Sequence, residues 1–224
     1  MALALASSVK AIGGTLLDLL YPPRCGGCNE AGAGWWCPAC AAKTHPFDAA
    51  QGLRQIDLPG GGTLAVVSAA LFAAPLREGI HRFKYESQPQ LAEAFGRMMS
   101  EAWLAAGAQA DAWVPVPLHA SRRRERGYNQ SELLARVMSR HTQVPMRNWL
   151  KRIRRTEQQA HLGAQARVAN VKDAFVADAG VNEKQIALVD DVLTTGATLA
   201  ECALVLKAAG AAHVCAVTLA RAGA

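Results

Sequence analysis

The chain has 224 residues, a length that suits one domain with at most a small appendage. Its hydrophobic fraction of 51% supplies a full core and excludes an intrinsically disordered protein. The formal charge of +6 is unevenly spread: Ser121 to Asp173 carries 13 Lys and Arg against 4 Asp and Glu, so that segment predicts an anionic partner such as phosphate, pyrophosphate or nucleic acid.

The first stretch, MALALASSVKAIGGTLLDLL, lacks the basic start of a secretory signal, and Lys10 and Asp18 interrupt its apolar run. It is also too broken to span a bilayer, and its leucines and isoleucine recur near helical spacing, which predicts an amphipathic packing helix. No membrane insertion and a cytoplasmic location are expected. Tyr21-Pro22-Pro23 ends this helix, because proline lacks the backbone donor that a helix requires.

Cys25, Cys28, Cys37 and Cys40 follow as C-x2-C-x8-C-x2-C. Two thiolate pairs on tight turns supply four soft ligands to a tetrahedral ion, which suits a structural Zn2+ with no open position for catalysis. Disulfides fit a cytosolic chain poorly, and a redox dithiol has no need of a second pair. Replacement of one cysteine by His45 is the weaker ligand set. Cys202 and Cys215 fall within a helix and a strand and read as buried apolar residues.

Phe47 to Gly62 reads as an irregular connection, and TLAVVSAALFA as a strand. APLREGIHRFKY and PQLAEAFGRMMSEAWLAAG have the three- and four-residue apolar spacing of helices. From Asp111 strands and helices alternate. AWVPVP, VPMRNWLKRI, DAFVA, KQIALV and HVCAVTLA read as strands. NQSELLARVMSRH reads as a helix capped by Asn129 or Ser131, and GATLAECALVLKAAG as one closed by Gly210. The expected class is α/β, a parallel sheet flanked by helices, with residues 1–46 as an N-terminal helix and zinc unit and 47–224 as the main domain. Such sheets bind ligands at the carboxyl ends of their strands.

Two motifs fall at that end. In ALVDDVLTTGATL an apolar strand delivers Asp190 and Asp191 to a turn that opens a helix. The amides of the turn, the helix N-terminus and the hydroxyls of Thr194, Thr195 and Thr198 suit one phosphate, and Gly196 permits close approach. Adjacent carboxylates beside a phosphate cradle suit a sugar phosphate, with the acids accepting from ribose hydroxyls. In VPVPLHASRRRERGYNQ a strand runs into a loop bearing Arg122, Arg123, Arg124 and Arg126, whose guanidinium groups suit phosphate contacts. At most two of them are expected to touch a ligand.

ALVDDVLTTGAT resembles the phosphoribosyl pyrophosphate (PRPP) motif of type I phosphoribosyltransferases. The resemblance implies that Asp190 and Asp191 hold the ribose hydroxyls, that Thr194, Thr195, Gly196, Ala197 and Thr198 hold the 5-phosphate, and that Mg2+ arrives with PRPP. It implies a pyrophosphate loop at the arginine segment, with Arg122 and Arg126 as candidates. Purine-salvage members often place an aspartate base where Thr194 stands, which weakens a purine-salvage reading. The words PVPLH, RGYNQ, LLDLLYPPRCGGC and RFKY, with RRTEQQAHLGAQARVANVKDAF, resemble the ComF family over nearly the whole chain. In that comparison Arg155, Gln159 and Arg167 fall in a hood over the site and are the catalytic candidates.

The family implies two functions. One is a PRPP-binding protein acting in natural transformation, with single-stranded DNA or DNA-uptake proteins as partners; Trp35, Trp36 and Trp149 are its stacking candidates, although burial is the better reading for Trp149. The other is an enzyme transferring phosphoribose to an unidentified acceptor.

Overall fold

The computed structural model describes residues 22–154 and 171–223. The predicted N-terminal helix and the hood candidates Arg155, Gln159 and Arg167 lie outside the described residues. A short helix α1 (Pro38–Lys43) and the turn α2 (Ala49–Gly52) lead into β1 (Leu53–Asp57) and β2 (Thr63–Leu71). Then come α3 (Leu76–Tyr85), α4 (Leu91–Ala105), β3 (Ala112–Pro115), α5 (Ala120–Arg126) and α6 (Gln130–Thr142). The described chain closes with β4 (Leu150–Arg152), β5 (Phe175–Ala177), β6 (Gln185–Leu193), α7 (Ala197–Ala208) and β7 (His213–Arg221).

Five strands form one sheet in the order β1-β2-β7-β6-β3, in which only the β1–β2 pair is antiparallel. The expected α/β architecture, a parallel sheet flanked by helices and joined to a small four-cysteine unit, is the one present. Alternation along the central strands sends side chains to two cores. Ala187, Val189, Val217 and Leu219 meet α3, α4 and α6 on one face, around Phe83, Phe95 and Trp103. Ile186, Leu188 and Ala216 meet α7 on the other, with Leu199, Cys202 and Leu206. Both Cys202 and Cys215 are buried, as expected of apolar cysteines.

Four local readings change. Residues 53–57 form an edge strand where an irregular connection was expected. Its side chains are mostly exposed, so burial left no alternation to read, and pairing with β2 decides its conformation. The glycines 60, 61 and 62 all have positive φ and turn the chain between these strands. The stretch 144–153 holds a strand only at Leu150–Arg152, and that strand pairs with β5 in a separate two-stranded sheet. The arginine segment is the helix α5, ended by Gly127 in the left-handed region at φ 79°. Finally, β6 runs on to Leu193, so the acid pair lies inside a strand and not just after one.

Candidate functional site

The four cysteine sulfurs at 25, 28, 37 and 40 all lie within 4.8 Å of one another. All six cysteines of the chain are free thiols. Cys37 caps α1 and Pro38 begins it, so the second pair sits on the opening turn of a helix. The Cys37 amide donates to Cys25 Sγ at 3.3 Å and the Cys40 amide to Cys37 Sγ at 3.4 Å. Such donors suit thiolates. Gly27 is required here: a Cβ on it would lie 2.5 Å from Cys40 Sγ. Four clustered sulfurs with amide donors fit a tetrahedral Zn2+ and leave no ligand position for chemistry. His45 is not part of the clustered set.

The second site is a cavity of about 540 Å3 at the carboxyl end of the sheet. The last β3–β6 pair is Pro115 with Val189, followed by the Val116 amide donating to the Val189 carbonyl at 3.0 Å. Beyond it β6 continues without β3, still paired to β7 at Asp190–Thr218 and Val192–Ala220. The acids therefore occupy the place where one neighbour has ended and the cavity begins. Both line it.

Each carboxylate has a fixed partner. Ser131 Oγ donates to Asp190 Oδ1 at 3.0 Å, and the Asp191 amide donates to the same oxygen at 2.9 Å. Lys84 Nζ of α3 lies 2.8 Å from Asp191 Oδ1. Ser131 is held in position by Asn129, whose side chain caps α6 by accepting from the Ser131 amide at 3.1 Å and donates to the Val116 carbonyl at 3.0 Å. Burial, and next the Asp191 charge, push the Asp190 carboxyl up to about 7, against the opposing pull of Lys84 and its hydrogen bonds. Asp190 thus changes charge close to neutral pH.

The turn after β6 brings Thr194, Gly196, Ala197 and Thr198 to the cavity wall, whereas Thr195 is not among the lining residues. Gly196 precedes α7 with φ 77° and provides no side-chain cap, and a Cβ there would come within 2.6 Å of Ile56. This turn needs glycine for both reasons. Of the arginines on α5, Arg122 and Arg126 line the cavity, one turn apart. Arg126 lies over the Tyr85 ring at 4.9 Å and donates to Gln130 Oε1 at 3.1 Å. Arg123 is instead paired with Glu132 at 3.0 Å, and Arg124 is exposed.

Several lining residues escaped the sequence reading. Arg77, His81, Lys84 and Tyr85 of α3 face the cavity together with Arg152 of β4. The α3 residues recur at spacings of four, three and one, a polar helical stripe that could have been found. Nothing local distinguishes Arg152, which lines the site from the separate β4–β5 sheet. Trp36 packs edge-on against Phe95 at 5.2 Å and Trp149 is half-buried, while Trp35 is exposed. Neither Trp35 nor Trp149 lines the cavity.

A family model described as a double zinc ribbon domain matches residues 16–51. That range contains four cysteines, enough for one four-thiolate site. Competence protein F of Haemophilus influenzae is 31% identical over 208 residues, covering 88% of this chain and 90% of that protein. DNA utilization protein YhgH of Salmonella typhimurium is 35% identical over 200 residues, covering 80% of each. Competence protein ComFC of Bacillus subtilis is 30% identical over 151 residues, 65% of this chain and 60% of that one. Among solved structures, the glutamine PRPP amidotransferase of B. subtilis complexed with ADP and GMP matches with 23% identity and a TM-score of 0.44. The match covers 62% of this chain and 30% of the amidotransferase.

Proposed function

The chain belongs to the ComF family, and from that premise and the chemistry of the cavity we propose that it binds PRPP with Mg2+ and acts in the uptake or use of DNA. The observation that carries the reading is a single cavity lined by an adjacent carboxylate pair, a glycine-hinged turn at a helix N-terminus, and arginines. In this reading Asp190 and Asp191 accept from the ribose hydroxyls. Thr194, Thr195, Gly196, Ala197 and Thr198 hold the 5-phosphate, with Thr195 acting through the turn, since its Oγ1 accepts from the Ala197 amide at 3.5 Å. Arg122 and Arg126 take the pyrophosphate. Charge supports the assignment: the lining carries five Lys and Arg, at 77, 84, 122, 126 and 152, against two carboxylates. A surplus of three suits a ligand that remains strongly anionic after taking up a divalent cation. The volume also lies in the range of small-ligand sites, roughly 300–1,000 Å3.

The relatives' names, competence protein and DNA utilization protein, support a role with DNA. On the same reading residues 1–46 form a metal-stabilised unit, 47–224 form a type I phosphoribosyltransferase-like domain, and the cytoplasm keeps the thiols reduced. Among the described residues no helix is long and apolar enough to cross a membrane. Calorimetry with PRPP and Mg2+ tests the ligand. Asp190→Ala and Asp191→Ala should each abolish measurable binding, and unchanged affinity in both would remove the proposal.

A second reading, transfer of phosphoribose to an acceptor, is favoured by the α3 wall: Arg77, His81 and Tyr85 line the cavity but take none of the PRPP roles above. The bond from C1 to pyrophosphate would break, a bond from C1 to the acceptor nucleophile would form, and the acceptor's proton would pass to a base or to water. Mg2+ held by ligand oxygens would offset charge on the departing pyrophosphate. Acceptor-dependent pyrophosphate release supports transfer. Salt-sensitive binding of single-stranded DNA without release supports the first reading alone.

A further inference from the structure

Helix α3 is clasped between the four-cysteine unit and the cavity. On one side, Gly79 lets the Trp36 indole rest on the helix backbone, since a Cβ there would lie 2.7 Å from the ring. One turn later, Arg82 Nη1 donates to the carbonyls of Gly26 at 2.5 Å and Gly27 at 3.1 Å, with the Cys25 carbonyl at 3.5 Å. Gly26 and Gly27 are the two residues between the ligands Cys25 and Cys28. On its other side α3 presents Lys84 to Asp191 at 2.8 Å. Its final turn is anchored where the Phe83 carbonyl accepts from Tyr128 Oη at 2.6 Å and from Gln130 Nε2 at 3.3 Å.

Arg82 and Lys84 are thus two residues apart, one bound to the metal knuckle and the other to the acid pair. Backbone carbonyls converge on one guanidinium nitrogen only while the knuckle keeps its tight turn. A bound metal would hold that turn, because it fixes Cys25 and Cys28 on either side of the two glycines.

We propose that Arg82 is a positioning residue that ties metal loading of the cysteine unit to the placement of Lys84, so that Zn2+ at the cysteines and a ligand at Asp191 favour each other. The ligand half rests on the PRPP reading; the positioning half does not. Linkage makes the effect reciprocal.

Two measurements test it on the full chain. The first uses no ligand. The zinc-loaded protein is treated with an amine-reactive reagent, and labelling of Lys84 is compared by mass spectrometry with that of the exposed Lys207. Arg82→Met, still holding its zinc, should raise relative Lys84 labelling about fivefold or more, the lower end of ordinary coupling between sites. Arg82→Lys, which keeps a multidirectional donor, should restore much of the protection. Labelling equal to wild type in Arg82→Met overturns the positioning role. Should that variant fail to fold, the wild-type protein with and without a zinc chelator gives the same comparison: Lys84 labelling should rise relative to Lys207, and an unchanged ratio overturns it.

The second measurement follows zinc transfer to a chromogenic chelator with and without PRPP and Mg2+. PRPP should slow transfer about fivefold or more in wild type and not in Arg82→Met. If calorimetry shows PRPP binding while transfer is unchanged, the coupling is wrong and the ligand reading survives. If PRPP does not bind, the ligand reading and the coupling to it fall together, and Lys84 labelling still decides the positioning role.

Discussion

Replacing Asp190 by Asn should make the protein more stable and less able to bind. The carboxyl is raised to about 7 from an ordinary value of 3.8 because folding buries it beside Asp191. Asparagine keeps the Oδ1 acceptor used by Ser131 and by the Asp191 amide, and it removes the charge. In the wild type, the native state holds a proton that the unfolded chain releases between pH 3.8 and about 7. Stability therefore falls as pH rises through that window and levels off above it. That difference is worth about 2–4 kcal/mol. At pH 8 the Asp190→Asn variant should melt about 5–12 °C above wild type, the usual scale for a domain of this size. Near pH 4 the two should melt within about 2 °C, because the native carboxyl is already protonated there. Thermal denaturation across pH, monitored by circular dichroism, checks the difference. Equal gains at pH 4 and pH 8, or a loss at pH 8, would refute the view of Asp190 as a strained charge held for ligand binding.

The remaining expectations concern the ligand, the turn and the metal unit. If only ionised Asp190 accepts from the ribose, PRPP affinity should rise about tenfold between pH 6 and pH 8; calorimetry showing a fall over that range would contradict the role. Gly196→Ala forces a side chain into the left-handed region at φ 77° and toward Ile56 at 2.6 Å, so it should cost about 1–3 kcal/mol and lower the melting temperature by about 3–10 °C. An unchanged melting curve would show that the turn relaxes freely. Gly27→Ala places a methyl 2.5 Å from Cys40 Sγ and should weaken zinc retention about 10–100-fold in chelator competition; retention equal to wild type would show that the knuckle tolerates the methyl.

Where one chemical pattern is contiguous in the chain, the sequence is sufficient. The cysteine knuckles cluster as their spacing requires, and the succession of β6, α7 and β7 is legible because the two strands are short, nearly continuous apolar runs and the buried residues of the helix recur near helical spacing. The acid pair could be located on the same grounds, although its strand runs farther than its apolar residues indicate. Pairing with β7 extends it, and Leu193 opposite Arg221 is a fact about two strands and not about one. The partners of the acids were illegible for a related reason. Lys84 is over 100 residues from Asp191, and Ser131 is 59 from Asp190. Such contacts arise from the fold, and no local pattern encodes them. The arginine segment shows a subtler limit. Four basic residues resemble a solvated loop, yet helical geometry turns Arg122 and Arg126 to the cavity and leaves Arg123 and Arg124 outward.

The strand order has a consequence for how the molecule is made. The last described strand, β7, is inserted between β2 and β6 in the middle of the sheet. Until it is synthesised, β2 and β6 each carry an unpaired side, and the Ser68 hydroxyl lacks Thr218, its partner at 2.9 Å from 150 residues away. A ribosome-bound chain can therefore complete its cysteine unit early but can finish its sheet only once His213–Arg221 has been made. A stop before His213 would remove the strand that joins the two halves of the sheet, so it should leave an aggregation-prone polypeptide instead of a shortened but working protein.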